Sequence, residues 1–171
     1  MKRDRWLSGL LSAGMLSFSL ATVGAQVAQA QRPIFLLELN CVHRGFPNYQ
    51  EQSRDVSIGR EIYTSRLLIW ASNGAGWTCQ LPGGPASLRI EYGVADGDGL
   101  PPAKIDVYVD GNQVASQVGK DGRVNTMLVD VSNGKSVAVD IYCSRATNCS
   151  NKWYYFFWLA IVPGASSPGR R

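Results

Sequence analysis

The sequence contains a single histidine, His43, and lacks both a Gly-x-Ser-x-Gly elbow and a Cys-x-x-Cys pair. A serine hydrolase needs a histidine base beside its nucleophile, and the elbow is a common sequence sign of that arrangement. Zinc sites need several cysteine or histidine ligands at close spacing. These absences argue against a serine hydrolase and against a zinc protein.

Carboxylate pairs suited to glycoside cleavage are also scarce. A glycosidase uses two carboxyl groups that flank the scissile bond. Asp96 and Asp98 form the one dense pair, and the glycines around them indicate a turn. Glu61 and Glu91 fall at or within expected strands, where solvent-facing positions are the default. We therefore expect a protein without catalytic activity.

Net charge is low once the two ends of the chain are set aside. The formal charge of the whole chain is +4, and the excess of bases is concentrated at Lys2, Arg3 and Arg5 and at Arg170 and Arg171. A nucleic-acid surface needs a clustered basic face. The nearly neutral body of the chain therefore predicts no nucleic-acid partner.

The first thirty residues have the order of a secretory signal: a basic start, an uncharged apolar run over Leu7–Val23, and the small-x-small segment Ala28-Gln29-Ala30. The alternative is a membrane anchor, but a spanning helix needs ~20 strongly apolar residues. This run is shorter and rich in serine, glycine and alanine. We expect cleavage after Ala30, no membrane span afterwards, and a secreted or periplasmic protein of a bacterium.

Four cysteines follow the expected cleavage site: Cys41, Cys79, Cys143 and Cys149. An even number in an exported chain indicates disulfides, and four cysteines allow three pairings. We favour Cys143–Cys149, which would close one loop, and Cys41–Cys79, which would tie the N-terminal segment to the body.

Short apolar runs with a period of two, separated by turn residues, fill the rest of the chain. Val137, Val139 and Ile141 point one way and Asp140 the other, a pattern typical of a half-buried strand. Asp110-Gly111 is a strong hairpin signal. No long period of 3.6 residues and no internal repeat is visible, and residues 41–60 give no clear pattern. The spacing predicts one all-β domain over residues 31–163, a two-sheet β-sandwich or jelly roll.

The last strand, residues 153–162, is apolar or aromatic on both faces. Such a strand usually lies in the middle of a sheet and is covered on both sides. Residues 164–171 are small, polar and basic, and we expect them to form a flexible basic tail.

The direction of successive strands predicts which connections lie together and so where a binding site could form. If strands alternate in direction from Ile62 onward, the connections 72–75, 96–103, 120–122 and 144–152 emerge at one end of the sandwich. They are longer and more polar than those at the other end, and long polar loops on a rigid scaffold commonly bind ligands. The predicted ligand-binding residues are Asn73, Trp77, Asp96, Asp98, Asp121, Arg145, Asn151 and Trp153.

Planar polar groups beside an exposed aromatic ring suit a sugar, because the ring stacks on C–H faces while amides, carboxylates and guanidinium bind hydroxyls. A structural calcium at Asp96-Gly97-Asp98-Gly99 is the competing interpretation. Calcium takes six to eight oxygen ligands, and only two carboxylates are available, so we favour a plain turn. We expect no cofactor and no metal.

Four stretches resemble, in order and spacing, segments of the NPCBM family of carbohydrate-binding modules, which occur at the ends of glycoside hydrolases and in other exported proteins. They are SLRIEYGVADGD, KIDVYVDGNQVASQ, LVDVSNGKSVAVDIYCS and WLAIV. The likeness extends over residues 55–162, although the Gly-x-His-Ala-like segment of the family has no counterpart in TSRLLIWAS. The resemblance implies a galactose-binding-like jelly roll.

The leading hypothesis is an exported, non-catalytic carbohydrate-binding module that recognises a glycan or a cell-envelope polysaccharide through loops at one end of a β-sandwich. The alternative is an envelope structural or protein-interaction domain that binds no sugar. The two differ in what they expose: an aromatic ring beside the long loops, or an apolar patch or open sheet edge.

Overall fold

A computed structural model describes residues 32–44, 48–145, 149 and 152–164. The predicted signal peptide and residues 165–171 of the predicted tail lie outside these residues. The described part contains eleven strands and one short 3-10 helix, Leu36–Glu38. The strands are β1 Ile34–Phe35, β2 Cys41–Arg44, β3 Tyr49–Ile58, β4 Glu61–Trp70, β5 Ala75–Gln80, β6 Ala86–Gly93, β7 Ala103–Val109, β8 Asn112–Val118, β9 Asn125–Asp130, β10 Ser136–Cys143 and β11 Trp153–Pro163.

The strands form two antiparallel sheets, which confirms the predicted all-β sandwich. One sheet, called here the hairpin sheet, has the order β3-β4-β11-β6-β9, and β1 adds to β11. The other, called the polar sheet, has the order β2-β5-β10-β7-β8. Among the described residues, no helix has the length and apolar character needed to cross a bilayer.

The main core lies between the two sheets and follows from the alternation of side chains along each strand. Val137, Val139 and Ile141 of β10 are at most 1% exposed, as their spacing predicts. Full burial of such a side chain stabilises the fold by roughly 1.5–3 kcal/mol.

The predicted position of the last strand is confirmed. β11 lies between β4 and β6, inside the hairpin sheet. Tyr154 and Phe156 point into the main core. Tyr155 points to the opposite face, where it is also buried. The second apolar face of β11 therefore needs a cover of its own.

Residues 41–60, for which the sequence gave no clear pattern, supply that cover. β4 pairs with β11 only over Leu67–Trp70, and β1 occupies the edge of β11 further along. The free part of β4 and the paired β3 cross the outer face of the hairpin sheet. At the far end of this hairpin, Ile58 lies against Gly93, the last residue of β6.

A second small core is buried beneath the β3–β4 hairpin. Val56, Ile58, Leu68 and Tyr155 form it, and each is at most 8% exposed. The pairing of β3 with β4 shifts register between Glu51 and Arg54. Such a bulge bends a strand and increases its twist, which is what the hairpin needs to fold back over the sheet.

Both predicted disulfides are present. Cys41 and Cys79 lie directly opposite each other on β2 and β5, so this bond holds the edge strand of the polar sheet. Cys143 and Cys149 close the connection that follows β10. In the chain-entropy model, the 38-residue separation of the first pair corresponds to about 4 kcal/mol of stabilisation.

Candidate functional site

The long connections meet at one end of the sandwich, which we call the loop rim. The Ala71 N–H donates to the Lys152 carbonyl over 3.0 Å, and the Ser144 N–H donates to the Pro102 carbonyl over 3.2 Å. Trp70 faces Trp153 across β4 and β11. The alternation of strand direction, on which the predicted site depends, is therefore confirmed.

The short connections meet at the opposite end. The Asn133 N–H donates to the Gly84 carbonyl over 3.1 Å. The Lys135 N–H donates to the Asp110 carboxylate over 2.9 Å. These bonds join the short connections, and a depression of about 580 Å³ beside them is lined in part by Pro82, Gly83 and Pro85. Some of the predicted ligand-binding residues instead line two depressions at and beside the loop rim.

The first depression, the loop cleft, has a volume of about 350 Å³. Three of the predicted ligand-binding residues line it: Asp96, Asp121 and Arg145. Its remaining lining is small or apolar and consists of Val94, Ala95, Gly97, Gly99, Leu100, Pro101 and Gly122. The cleft thus combines two carboxylates and one guanidinium with small and apolar residues.

Asp121 and Arg145 are exposed, and their side chains have no hydrogen-bond or ion-pair partner among the described residues. A carboxylate offers only acceptors, and a guanidinium only donors. Together they can satisfy a hydroxyl group in both of its roles. These two side chains are the groups in the loop cleft that are free to contact a ligand.

Asp96 lines the loop cleft, and its carboxylate is also hydrogen-bonded within the protein. Its carboxylate accepts hydrogen bonds from the Arg60 N–H at 3.0 Å, the Ser57 hydroxyl at 2.7 Å and the Gly59 N–H at 2.8 Å. These bonds, that of the Arg60 N–H foremost, hold the pKa of Asp96 below its usual value. Asp96 therefore fixes the tip of the β3–β4 hairpin to the rim.

Asp98 joins two connections of the loop rim. Its carboxylate lies 3.5 Å from the Lys152 ammonium, which also donates to the Asp98 backbone carbonyl. The contact ties the segment after β6 to the segment before β11. Asp98 does not belong to the lining of the loop cleft.

The prediction that Trp77 contacts a ligand is wrong. Its ring is 1% exposed and packs in the main core, where His43 and Tyr49 contact its edge. Trp77 and Cys79 are two positions apart on β5, so both point inward. A ring in this position cannot stack on a sugar.

Trp153 is half-buried at the loop rim. Its ring meets that of Trp70 edge to face, with centroids 4.5 Å apart, on the outer face of the hairpin sheet. It also packs against the second core. Asn151 lies outside the described residues.

Asn73 lies in the second depression, the strand cleft, of about 320 Å³. The structure thus divides the predicted site in two. The strand cleft is lined by Arg44, Asn48, Asn73, Gly74, Ala75, Gly76, Asp140, Ile141 and Tyr142. The sequence analysis missed Arg44 and Asn48 because both lie within residues 41–60, which gave no clear pattern.

Two structural signs bear on metal binding and glycoside cleavage: clusters of ligating side chains, and carboxyl groups with a raised pKa. Within the described ranges, no group of three or more His, Cys, Asp or Glu side chains could hold a metal ion. A glycosidase needs a general acid whose pKa is raised. Burial would raise the pKa of Asp106, but hydrogen bonds with Ser116 and Tyr142 and the nearby Lys104 bring it below its usual value. The pKa of Asp96 is lowered as well.

Comparison with known proteins finds similarity at the level of structure. No family model matches the chain, and no curated protein matches it. The structure resembles the CBM51-2 domain of Clostridium perfringens ZmpB solved with GlcNAc and INT domains: TM-score 0.58 and 17% identity, over 77% of this chain and 31% of that one. It also resembles the CBM51 of Clostridium perfringens GH95 in complex with methyl-galactose: TM-score 0.57 and 13% identity, over 77% and 99%.

The chain shares its β-sandwich fold with carbohydrate-binding modules. A third solved structure agrees, the tandem CBM51 modules of the family 98 glycoside hydrolase from Streptococcus pneumoniae: TM-score 0.58 and 12% identity, over 91% of this chain and 52% of that one. This chain therefore spans about a third of the ZmpB structure and nearly the whole of the GH95 module. Identities this low establish the fold alone, here a galactose-binding-like β-sandwich. Membership of the NPCBM family is not confirmed, because no family model matches.

Proposed function

We propose that this protein is an exported, non-catalytic module that binds a glycan in the loop cleft. One observation carries the proposal: two charged side chains without partners among the described residues, Asp121 and Arg145, lie beside apolar lining at the loop rim. The fold is shared with modules whose structures contain GlcNAc and methyl-galactose.

The chemistry of the cleft suits one sugar ring. Its volume of about 350 Å³ lies at the lower end of the ~300–1,000 Å³ typical of small-molecule sites. Arg145 can donate to hydroxyl oxygens, and Asp121 can accept from hydroxyl groups. Val94 and Ala95, both half-buried, offer apolar surface to the C–H face of the ring, in the place of the aromatic stacking expected from Trp77.

Export is part of the proposal. Two disulfides form stably in an oxidising compartment and rarely in a bacterial cytosol. The predicted cleavable leader gives the chain a route to such a compartment. A protein placed there meets glycans of the cell envelope or of its surroundings.

A specific observation favours the alternative, a protein-interaction or envelope-structural domain. The edge strands β8 and β9 expose Val114, Val118 and Leu128, at 48%, 51% and 68%. Exposed apolar side chains on unpaired edges are open to association with another chain. If the alternative holds, a pull-down from envelope extract should recover a protein partner, and added sugars should not reduce the recovery.

The test is a glycan array and calorimetric titration with the full chain, purified after export. We expect at least one glycan to bind, and Asp121→Ala or Arg145→Ala to weaken it about tenfold or more, because hydrogen bonds to charged groups contribute about 1.5–3 kcal/mol. Arg66→Ala, an exposed arginine on β4, is the matched control. A folded protein that binds no glycan, or binding that both cleft substitutions leave unchanged, would overturn the proposal.

A further inference from the structure

The strand cleft lies on the polar sheet beside the loop rim. Its floor is built from Gly74, Ala75 and Gly76 at the start of β5, and Asp140 and Tyr142 of β10 form one wall. Arg44, Asn48 and Asn73 contribute polar groups from three other places in the chain. A depression with small residues in the floor and planar polar groups in the walls is suited to a hydroxyl-rich ligand.

Gly76 allows the charged pair of this cleft to form. Arg44 and Asp140 lie on either side of Gly76 across the polar sheet, and their side chains form an ion pair over it. A Cβ atom at Gly76 would lie 2.7 Å from an Asp140 carboxylate oxygen and 3.4 Å from Arg44 Nε. The Asp140 side chain is 12% exposed and the Arg44 side chain 71%. The pair is thus held in place while most of the guanidinium faces the solvent.

The remaining polar groups are either fixed or free. The Tyr142 hydroxyl donates to Asp106, and the Lys104 ammonium lies 5.3 Å from the centre of the Tyr142 ring, so the ring is held from two sides. The side-chain amides of Asn48 and Asn73 have no partner among the described residues. The cleft therefore offers two free amides beside a preorganised charged pair.

The charge balance of the cleft selects the ligand class. Arg44 and Asp140 cancel, and the other lining residues are uncharged. Phosphate or sulfate groups are recognised by cations without a paired carboxylate. Amides and a compensated guanidinium serve neutral hydroxyl groups, which donate and accept at once.

The strand cleft and the loop cleft are close together. Tyr142 lines the first and Arg145 the second, and a fully extended chain of three residues spans at most about 11 Å. Between them, the Ser144 N–H donates to the Pro102 carbonyl, which fixes this segment against the connection before β7. One oligosaccharide can therefore reach both clefts across the end of β10.

We propose that the strand cleft is a second sugar-contacting site, and that this protein binds neutral polysaccharide chains along both clefts rather than a single terminal sugar. This rests on the proposed function of the loop cleft. Binding in a second linked site raises the effective affinity without any change in the first. Affinity should therefore grow with the length of the glycan, and the strand cleft should account for the growth.

The experiment is a calorimetric titration of the full, exported chain with N-acetylglucosamine and methyl-galactose and with their di-, tri- and tetrasaccharides. The wild type should gain about tenfold or more in affinity between single sugar and tetrasaccharide. Asn48→Ala/Asn73→Ala should remove this gain and leave the affinity for the single sugar unchanged. Asp121→Ala should weaken binding at every length.

Asn112→Ala, on the β7–β8 turn at the opposite end of the sandwich, is the matched amide control. Equal melting temperatures of all variants would confirm that they fold. A length-dependent gain that survives Asn48→Ala/Asn73→Ala, or single-sugar binding with no gain in the wild type, would overturn this inference alone. If no member of either series bound to the wild type, this inference would fail, and if no glycan of the array bound either, the proposed function would fail with it.

Discussion

The two sheets of the sandwich differ in what lies on their outer faces. The outer face of the hairpin sheet is apolar around β11, and the β3–β4 hairpin covers it there with Val56 and Ile58. The outer face of the polar sheet has no such cover among the described residues, and a row of polar groups crosses it. Arg44, Asp140 and Asp106 belong to that row.

This difference originates in the two central strands. β11 has apolar residues at consecutive positions, so burial of one face leaves the other in need of a cover. β10 alternates, and its outward Asp140 lies directly opposite Asp106 of β7. Two carboxylates in that position repel each other unless cations compensate them. Arg44 pairs with the first, and Lys104 lies 3.4 Å from the second.

The comparison teaches that the covered face contributes stability and the open face remains available for contact. Apolar burial under the hairpin strengthens the fold but leaves no room for a ligand. The charges of the open face are already paired, and this arrangement allows it to stay exposed without a cover. The predictions below test this difference between the two sheets by changing residues at the covered face of the hairpin sheet.

The largest effect is expected at Leu68, which is fully buried beneath the hairpin. Leu68→Ala should lower the free energy of unfolding by about 2–5 kcal/mol, because it leaves a cavity in the second core. Leu128→Ala is the matched control on the same sheet, since Leu128 is 68% exposed, and it should change stability by about 0.5 kcal/mol or less. Urea unfolding monitored by circular dichroism measures both. Equal losses would contradict the idea that the hairpin forms a true cover.

A smaller effect is expected at Gly93, where the hairpin meets β6. A Cβ atom at this position would lie 2.6 Å from Ile58 Cδ1 and 3.3 Å from the Arg123 carbonyl oxygen. Gly93→Ala should therefore cost about 1–3 kcal/mol through overpacking. Ile58→Val removes the Cδ1 atom, so the double variant should be more stable than the sum of the two single losses predicts. Strict additivity in a denaturant titration would show that the two residues do not meet.

Apart from β2, the strands of the polar sheet could be predicted from local pattern alone. Their side chains alternate, and the Asp110-Gly111 turn between β7 and β8 has the positive φ values, 49° and 83°, that this hairpin signal requires. The disulfides followed from the even number of cysteines and from the chain order. The end of the sandwich at which each loop emerges followed from counting strands that alternate in direction.

The hairpin could not be predicted, because β3 is exposed over most of its length and only Val56 and Ile58 are buried. Their burial depends on Tyr155, which is far away in the sequence, and no local period reveals it. The strand cleft was missed for the same reason, since Arg44 and Asn48 gain their meaning only across the sheet. Trp77 is different: its spacing of two from Cys79 was a usable sign of an inward position.

The smallest effect is expected at Asp96, which joins the hairpin to the loop rim from an exposed position. Asp96→Asn keeps the shape of the side chain and removes the charge that the Arg60 and Gly59 N–H groups and the Ser57 hydroxyl stabilise. The variant should melt below the wild type at neutral pH, in thermal unfolding followed by circular dichroism. Asp121→Asn, an exposed aspartate without such partners among the described residues, should have little effect.

The pH dependence of that difference identifies its cause. The pKa of Asp96 is lower in the folded chain than its usual value, so its contribution is complete at pH values above the usual aspartate pKa of about 4. It is lost as the pH falls through the folded pKa, because the unfolded chain binds the proton first. The melting temperatures of wild type and Asp96→Asn should therefore converge in acid. A difference that stayed constant from neutral to acid pH would assign the effect to the shape of the side chain and not to its charge.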